Sequence, residues 1–357
     1  MEPKSLEGIV SALKARIERE RGRIQGLRSK RVRDVFERVA WIPPRSIVIS
    51  NLALRNPSAA FNPGVVYEGG SFLVFPRLIT GYFWYSSAVG VFTLDESILE
   101  GGGAPRVLEG PFESRIVVYP SESWDIAGCE DPRVEKVGDR YLVLYTGVSP
   151  KWEKVHGLAV QGYVFLDEDF NIVGGKRYFK LEGFEKGEGI YWWKDSAVLE
   201  IRGSRASALT RPSIEDIEIA WRAVVDLDTG SIDPDSMEPI LGVEPWERKI
   251  GWSTNAVRLS GNEYLVGWHG VDRETHAYFE GVAVVTGEGE LLGVSDYLIG
   301  PRDINEMMGD RPAVIFGCGL ARVGDSLYWF GGAADTIIGV YRAPLDQVLS
   351  NIKWLRG

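Results

Sequence analysis

The sequence predicts an all-β fold, a five-bladed β-propeller carrying an N-terminal helical extension, and three observations predict it. After Pro44 the chain turns into short alternating runs rich in Val, Tyr, Trp and Phe, broken by Gly, Asn and Asp turns. One phrase, an apolar strand, a Gly turn and a second apolar strand, then recurs about every 60 to 70 residues, a period that suits a four-stranded blade with long loops. Finally, helical spacing dominates the first 44 residues and nearly vanishes after them. A two-sheet sandwich is the rival that short strands also permit, and the repeat period favours the propeller.

In chain order, apolar residues at Leu6, Ile9, Val10, Leu13, Ile17 and Ile24, with Lys14, Arg16, Glu18, Arg19 and Glu20 on other faces, predict an amphipathic helix starting from Ser5. Its apolar stripe packs on its own protomer or forms a subunit contact, which would make the protein a homo-oligomer. Val32, Val35, Phe36 and Val39 predict a second helix, stopped by Pro43-Pro44. Residues 1–44 are therefore expected as an extension and 45–357 as the catalytic domain. The repeated phrase falls at Val65–Phe75, Val134–Tyr145, Ala197–Ala208, Val257–Val266 and Leu320–Trp329. A propeller places the ends of its innermost strands around a central channel, where polar side chains converge.

Composition narrows the partners. A formal net charge of −10 disfavours nucleic acid, whose phosphates bind basic surfaces. No apolar run is long enough to span a bilayer, and Glu2, Lys4 and Glu7 replace the apolar core of a secretory signal, so a cytoplasmic protein is expected. Cys129 and Cys318 stand far apart, without a CxxC pair or histidine cluster, so neither a disulfide framework nor a metal site is expected. With three histidines, and with no HExxH, GxSxG or phosphate loop, metalloprotease, serine hydrolase and P-loop chemistry are poor fits. Carboxylates, arginines and aromatics remain, including Trp84, Trp124, Trp192, Trp193, Trp252 and Trp268. That mixture suits sugars, because carboxyls move protons at a glycosidic oxygen and aromatic faces stack on pyranose rings.

The densest polar cluster is Glu130-Asp131-Pro132-Arg133, just before an inner-strand pattern. Proline restricts the backbone beside the aspartate and flanking charges tune its pKa, yet a salt bridge at a blade edge explains Asp-Pro-Arg equally well. With Gly128 and Cys129 in front, the run resembles the G-x-E-D-P-R motif of glycoside hydrolase family 130, the β-mannoside phosphorylases and related β-mannosidases. Further segments match in the family's order: Phe61-Asn62-Pro63-Gly64, Arg77, Lys194-Asp195-Ser196-Ala197, Arg211-Pro212, Trp268-His269-Gly270-Val271 and Gly331 to Thr336. The resemblance spans residues 50 to 345, nearly the whole propeller.

It implies inverting attack on the anomeric carbon of a β-mannoside, with inorganic phosphate as co-substrate in phosphorylases and water in hydrolases. No metal or organic cofactor is implied. Asp131 matches the general acid, which passes its proton through a sugar hydroxyl. Asn62, Arg77, Arg133, Asp195, His269 and Asp335 match substrate-side positions, and Lys194 and Arg211 match the nucleophile side. Taken singly these residues also read as turn caps, strand-end charges or, for His269, a satisfied buried histidine. The chain departs from the phosphorylase pattern at Pro63, at Thr210 before Arg211-Pro212, and around Ser149-Pro150-Lys151, where Lys151, Lys154, His156 or Arg211 is the compensating cation. Three readings therefore stay open: phosphorylase, hydrolase and a sugar-binding propeller without catalysis. A hydrolase needs a second carboxylate, for which Glu247, Glu280 and Glu306 are the candidates.

Overall fold

A computed structural model describes residues 5–82, 85–150, 158–184, 190 and 192–355 of the chain. Trp84, Lys151, Lys154 and His156 lie outside the described residues, as do Glu2 and Lys4. The five recurring phrases each became the inner antiparallel hairpin of a separate sheet: Ala59–Glu68 with Ser71–Ile79, Gly128–Val137 with Arg140–Ser149, Trp193–Arg202 with Arg205–Ile214, Glu247–Ser260 with Glu263–Asp272, and Ile315–Val323 with Ser326–Ala333. We number the sheets first to fifth in that order. The inner strand of each packs on that of the next, and the fifth packs back on the first, so the sheets close a propeller-like ring.

The inner hairpins are buried on both faces, which is why they read as near-continuous apolar runs such as Tyr264 to Val271. Packing between adjacent sheets is close enough to demand glycine in places: a Cβ at Gly64 of the first sheet would lie 2.7 Å from Pro132 O of the second.

The N-terminal helix spans Leu6–Ile24, with the Ser5 hydroxyl accepting from Gly8 N at 3.2 Å as its cap. Ile9, Leu13, Ile17 and Ile24 are buried against the outer part of the third sheet, so the apolar stripe is covered by its own chain. Burying each such side chain contributes ~1.5–3 kcal/mol.

The second helix expected over Val32 to Val39 does not form. Residues 26–36 run as an extended strap held by backbone bonds from Arg33 N to Tyr297 O (2.9 Å) and from Val35 N to Leu298 O (3.0 Å). Glu37–Ile42 is a strand pairing antiparallel with Ile337–Pro344 in the fifth sheet, and every residue of it after Glu37 is buried. Eight residues of apolar spacing fit a helix, but the unbroken run Val39-Ala40-Trp41-Ile42 is what a strand buried on both faces requires. The sheet region accordingly begins at Glu37, inside the segment expected to be an extension. At the other end, Ile352–Trp354 adds an outer strand to the fourth sheet.

Candidate active site

In the first three sheets the inner strand slips register at the same place. Phe61 faces Arg77 but Gly64 faces Phe75; Glu130 faces Thr146 but Arg133 faces Leu144; Lys194 faces Arg211 but Ala197 faces Leu209. Two residues thus oppose one, a β-bulge, which re-aims the side chain it carries. The first bulge residue is Asn62, Asp131 or Asp195, with φ of 46°, 50° and 56°, and Asn and Asp tolerate this left-handed region better than other side chains. Pro63 and Pro132 take the second position in two of the bulges, where no ladder N–H is needed. All three polar side chains line one cleft of about 100 Å³. A larger cleft of about 630 Å³ lies between the N-terminal helix and outer strands, but its arginines are already paired to acids, Arg19 and Arg23 to Glu20 and Arg222 to Glu238, and it gathers no such set.

One wall of the 100 Å³ cleft is built of carboxyls. Asp131 Oδ1 accepts from Asn62 Nδ2 at 2.8 Å and from Arg77 at 3.1 Å, while the other arm of Arg77 reaches Glu130 at 2.6 Å. The Arg77 guanidinium lies over the rings of Phe61 and Tyr85, which fixes its plane. Gly332 has no room for a Cβ because Asn62 Oδ1 occupies that space. Asp335, also at positive φ, joins from the fifth sheet with Arg311 at 3.8 Å. Burial acts to raise Asp131, but Arg77, Arg133, the Asn62 hydrogen bond and Lys194 outweigh it and hold this carboxyl below the usual range. Burial and the charge of Asp131 push Glu130 up despite Arg77. Asp335 is pushed up to about 6 by burial, with Asp131 and Glu130 adding to the rise against Arg77 and Arg311.

The facing wall is cationic: Lys194, Arg211 and Lys249, with His269 among them. Asp195 is its inner brace, accepting from Arg211 Nε at 2.6 Å and from Arg133 at 3.1 Å, with His269 Nε2 at 3.7 Å. These cations hold the Asp195 carboxyl far below its ordinary range despite burial. Burial, together with Arg211, lowers Lys249 to about 7. Lys194 is lowered by burial, by Lys249 and by Arg211. Lys194 sits over the exposed Trp192 ring and Lys249 over Tyr278; among the described residues neither makes a salt bridge. Burial also drives His269 well below its usual value, so the ring is neutral.

The structure therefore brings Asn62, Arg77, Asp131, Lys194, Asp195, Arg211, His269 and Asp335 to one cleft. Arg133, expected to touch substrate, does not line it. It is fully buried and donates to Ser253 O (2.7 Å), Asp131 O (3.0 Å) and Asp195, tying the second, third and fourth sheets together behind the site. The three candidate bases also lie elsewhere. Glu247 binds Arg28 and Tyr297, Glu306 binds Arg38, and Glu280 is buried against Ser253 and Gly317. Sequence reasoning missed Glu130, Lys249, Tyr278 and Arg311, which line the cleft without belonging to the expected set. Among the described residues no group of three His, Cys, Asp or Glu side chains is placed to hold a metal ion.

A protein family described as beta-1,4-mannooligosaccharide phosphorylase, glycoside hydrolase family 130, matches residues 27–354. The chain belongs to glycoside hydrolase family 130. This family 130 chain is 28% identical over 303 residues to a β-1,2-mannobiose phosphorylase of Thermoanaerobacter sp. (strain X514), covering 81% of this chain and 91% of that protein. It is 26% identical over 257 residues to a β-1,2-mannobiose phosphorylase of Listeria innocua serovar 6a, covering 68% and 64%. Its fold is similar to the solved Listeria innocua β-1,2-mannobiose phosphorylase in complex with β-1,2-mannobiose, with TM-score 0.61 and 20% identity, covering 89% of this chain and 97% of that one. A structure described with family 130 glycoside hydrolases that target β-1,2 mannosidic linkages in Candida mannan also has TM-score 0.61, at 15% identity, covering 80% and 84%.

Proposed function

We propose that this chain is a β-mannoside phosphorylase that transfers a mannosyl group to inorganic phosphate with inversion, giving α-mannose 1-phosphate and a free acceptor sugar. The observation that carries the reading is the wall of Lys194, Arg211 and Lys249: Arg211 is paired with Asp195 and Glu218, and Asp195 also with Arg133, while among the described residues Lys194 and Lys249 make no salt bridge. Repulsion among those cations is relieved by a bound dianion. Phosphate lies against this wall, and the mannosyl ring lies between it and Asn62, Arg77, Asp131 and Asp335. As phosphate oxygen bonds to the anomeric carbon, the glycosidic C–O bond breaks and the leaving oxygen takes its proton from a sugar hydroxyl. That hydroxyl is resupplied by Asp131. Phosphate charge also cancels the Lys194 field that helps to hold Asp131 down, so loading the cleft moves this carboxyl toward its acid form.

Hydrolysis is the weaker reading, because Glu247, Glu280 and Glu306 lie outside the cleft and Asp195, the carboxylate on the cation wall, is held by Arg211 and Arg133. A binding-only propeller has no use for a protonatable trio facing a cation wall. The five sheets are read as the five blades of a β-propeller, with the helix and strap before Glu37 as the extension. The enzyme works in the cytoplasm, where phosphate is plentiful and a charged product is retained, with phosphate as co-substrate and no metal or organic cofactor. Because the helix's apolar stripe is covered, a homo-oligomer formed through it would use its charged face.

β-1,2-mannobiose, on which the curated relatives act by name, is the first substrate to try, followed by β-1,4-mannooligosaccharides. Incubation with and without inorganic phosphate should yield mannose 1-phosphate only when phosphate is present. Free mannose released at the same rate without phosphate would overturn the reading in favour of a hydrolase.

A further inference from the structure

Behind the cation wall runs a file of buried polar groups that does not line the cleft as far as its last member. Glu280, on Tyr278–Thr286, is fully buried; its Oε1 accepts from Gly317 N at 3.1 Å and its Oε2 lies 2.6 Å from Ser253 Oγ. Ser253 sits in the register slip of the fourth sheet's inner strand, and its Oγ is 3.1 Å from His269 Nδ1. The opposite ring nitrogen, Nε2, borders the cleft, 3.7 Å from Asp195 Oδ2. We infer that Glu280 and Ser253 are positioning residues that fix the tautomer of His269, so that Nε2 carries the ring proton and faces the nucleophile side of the cleft as a neutral donor.

Proton counting gives the direction of the file. Ser253 has one hydroxyl proton. When Glu280 is a carboxylic acid it donates to Ser253, Ser253 donates to Nδ1, and the single ring proton of neutral His269 is left to Nε2. When Glu280 is a carboxylate, Ser253 must donate to it and Nδ1 must donate to Ser253. A bare Nε2 lone pair then faces Asp195 and any incoming anion. Burial favours the first arrangement, pushing Glu280 up to about 8 against its bonds from Ser253 and Gly317 and the charge of Arg133, with Asp195 adding to the rise.

The other titratable groups that face this file are Arg133 from the second sheet, Asp195 and Arg211 from the third, Lys249 from the fourth, and Cys318 and Tyr341 from the fifth. Burial raises both Cys318 and Tyr341, so they stay neutral, while Arg133 and Asp195 are paired with each other at 3.1 Å. His269 itself is far too acidic to hold a second proton. A neutral N–H donor adds a hydrogen bond to an anion beside Lys194, Arg211 and Lys249 without adding a further charge to their repulsion. The inference rests on the proposed phosphorylase only for the identity of that anion, and the tautomer is a property of the protein alone.

The chain has three histidines, so protein labelled with ¹⁵N-histidine gives a simple ring-nitrogen spectrum, with His269 assigned by its loss in His269→Gln. Without substrate at pH 7, the wild-type protein should show His269 protonated at Nε2, with conversion to Nδ1–H as the pH passes through about 8. In Glu280→Gln the amide N–H donates to Ser253 while its oxygen accepts from Gly317, so the Nε2–H form should persist across the whole range with phosphate KM unchanged. In Ser253→Ala or Glu280→Leu the single tautomer should be lost, and the KM for phosphate should rise about tenfold with kcat nearly unchanged. An Nδ1–H tautomer at neutral pH, or one indifferent to pH and to both Glu280 substitutions, would overturn the inference. The wild-type titration decides even if a buried substitution unfolds the chain. Because the ring-nitrogen spectrum is read without turnover, its failure is distinct from failure to make mannose 1-phosphate.

Discussion

On the wall formed by the first, second and fifth sheets, carboxyls crowd together around Arg77; on the wall formed by the third and fourth, cations crowd around Asp195. Both are buried, and burial works against charge on each side. The outcomes differ because of the counter-ions. Arg77 and Asn62 are aimed at Asp131, which stays ionised, while Asp335 and Glu130 are driven toward neutrality. On the opposite wall Asp195 is used up by Arg211 and Arg133, leaving Lys194 and Lys249 with depressed pKa values. The carboxyl wall is therefore electrostatically closed in the free protein, whereas on the cation wall Arg211 is held by Asp195 and Glu218 and the two lysines have no carboxylate partner among the described residues.

The largest test of this contrast is Asp131→Asn. Losing the proton source should lower kcat by about 10³, within the range usual for general acids, with mannoside affinity held within about threefold; calorimetry beside phosphorolysis rates checks both. An equal loss of affinity would make Asp131 a binding group and blur the two walls. Next in size is Lys249→Ala, which should raise the KM for phosphate by roughly 10- to 100-fold, the worth of one charge-assisted hydrogen bond. Mannoside affinity should not move, and the division between walls fails if it does.

The third test uses pH. Free Lys249 titrates at about 7, and phosphate favours the protonated ammonium, so phosphate binding should take up protons and weaken as pH rises above that value. Lys249→Arg, which stays charged, should abolish this uptake, as calorimetry in buffers of different ionisation enthalpy will show. The smallest effect is expected for Trp192→Ala. Removing the ring beneath Lys194 costs ~0.5–1 kcal/mol, or about a two- to fivefold rise in phosphate KM. No change would mean that the ring serves something other than the cation.

What was legible in the sequence follows the same division. Asn62-Pro63 and Asp131-Pro132 announce themselves because a left-handed residue followed by proline leaves a distinctive dipeptide, and the five hairpins repeat at a visible period. Lys249 and Arg311 carry no such mark: each is a charged residue on a strand or loop whose place at the cleft is decided by sheets far away in the chain. Arg133 was misread for the converse reason, since a motif shows that a residue matters but not which way it faces. The strand at Glu37–Ile42 was hidden because its partner, Ile337–Pro344, lies about 300 residues away, and local spacing imitated a helix.

That strand belongs with Ile352–Trp354 at the other terminus. The chain's first strand is stitched into the fifth sheet and its last into the fourth, so the ring is fastened as a belt is, by two overlapping ends. Neither of these two strands can come away without opening a sheet that also holds an inner hairpin. Loosening the belt should therefore open the two sheets that carry Lys249, His269 and Asp335, and the circle should give way as a whole rather than blade by blade. Disrupting either strand is then a way to disable a reaction centre that neither strand touches.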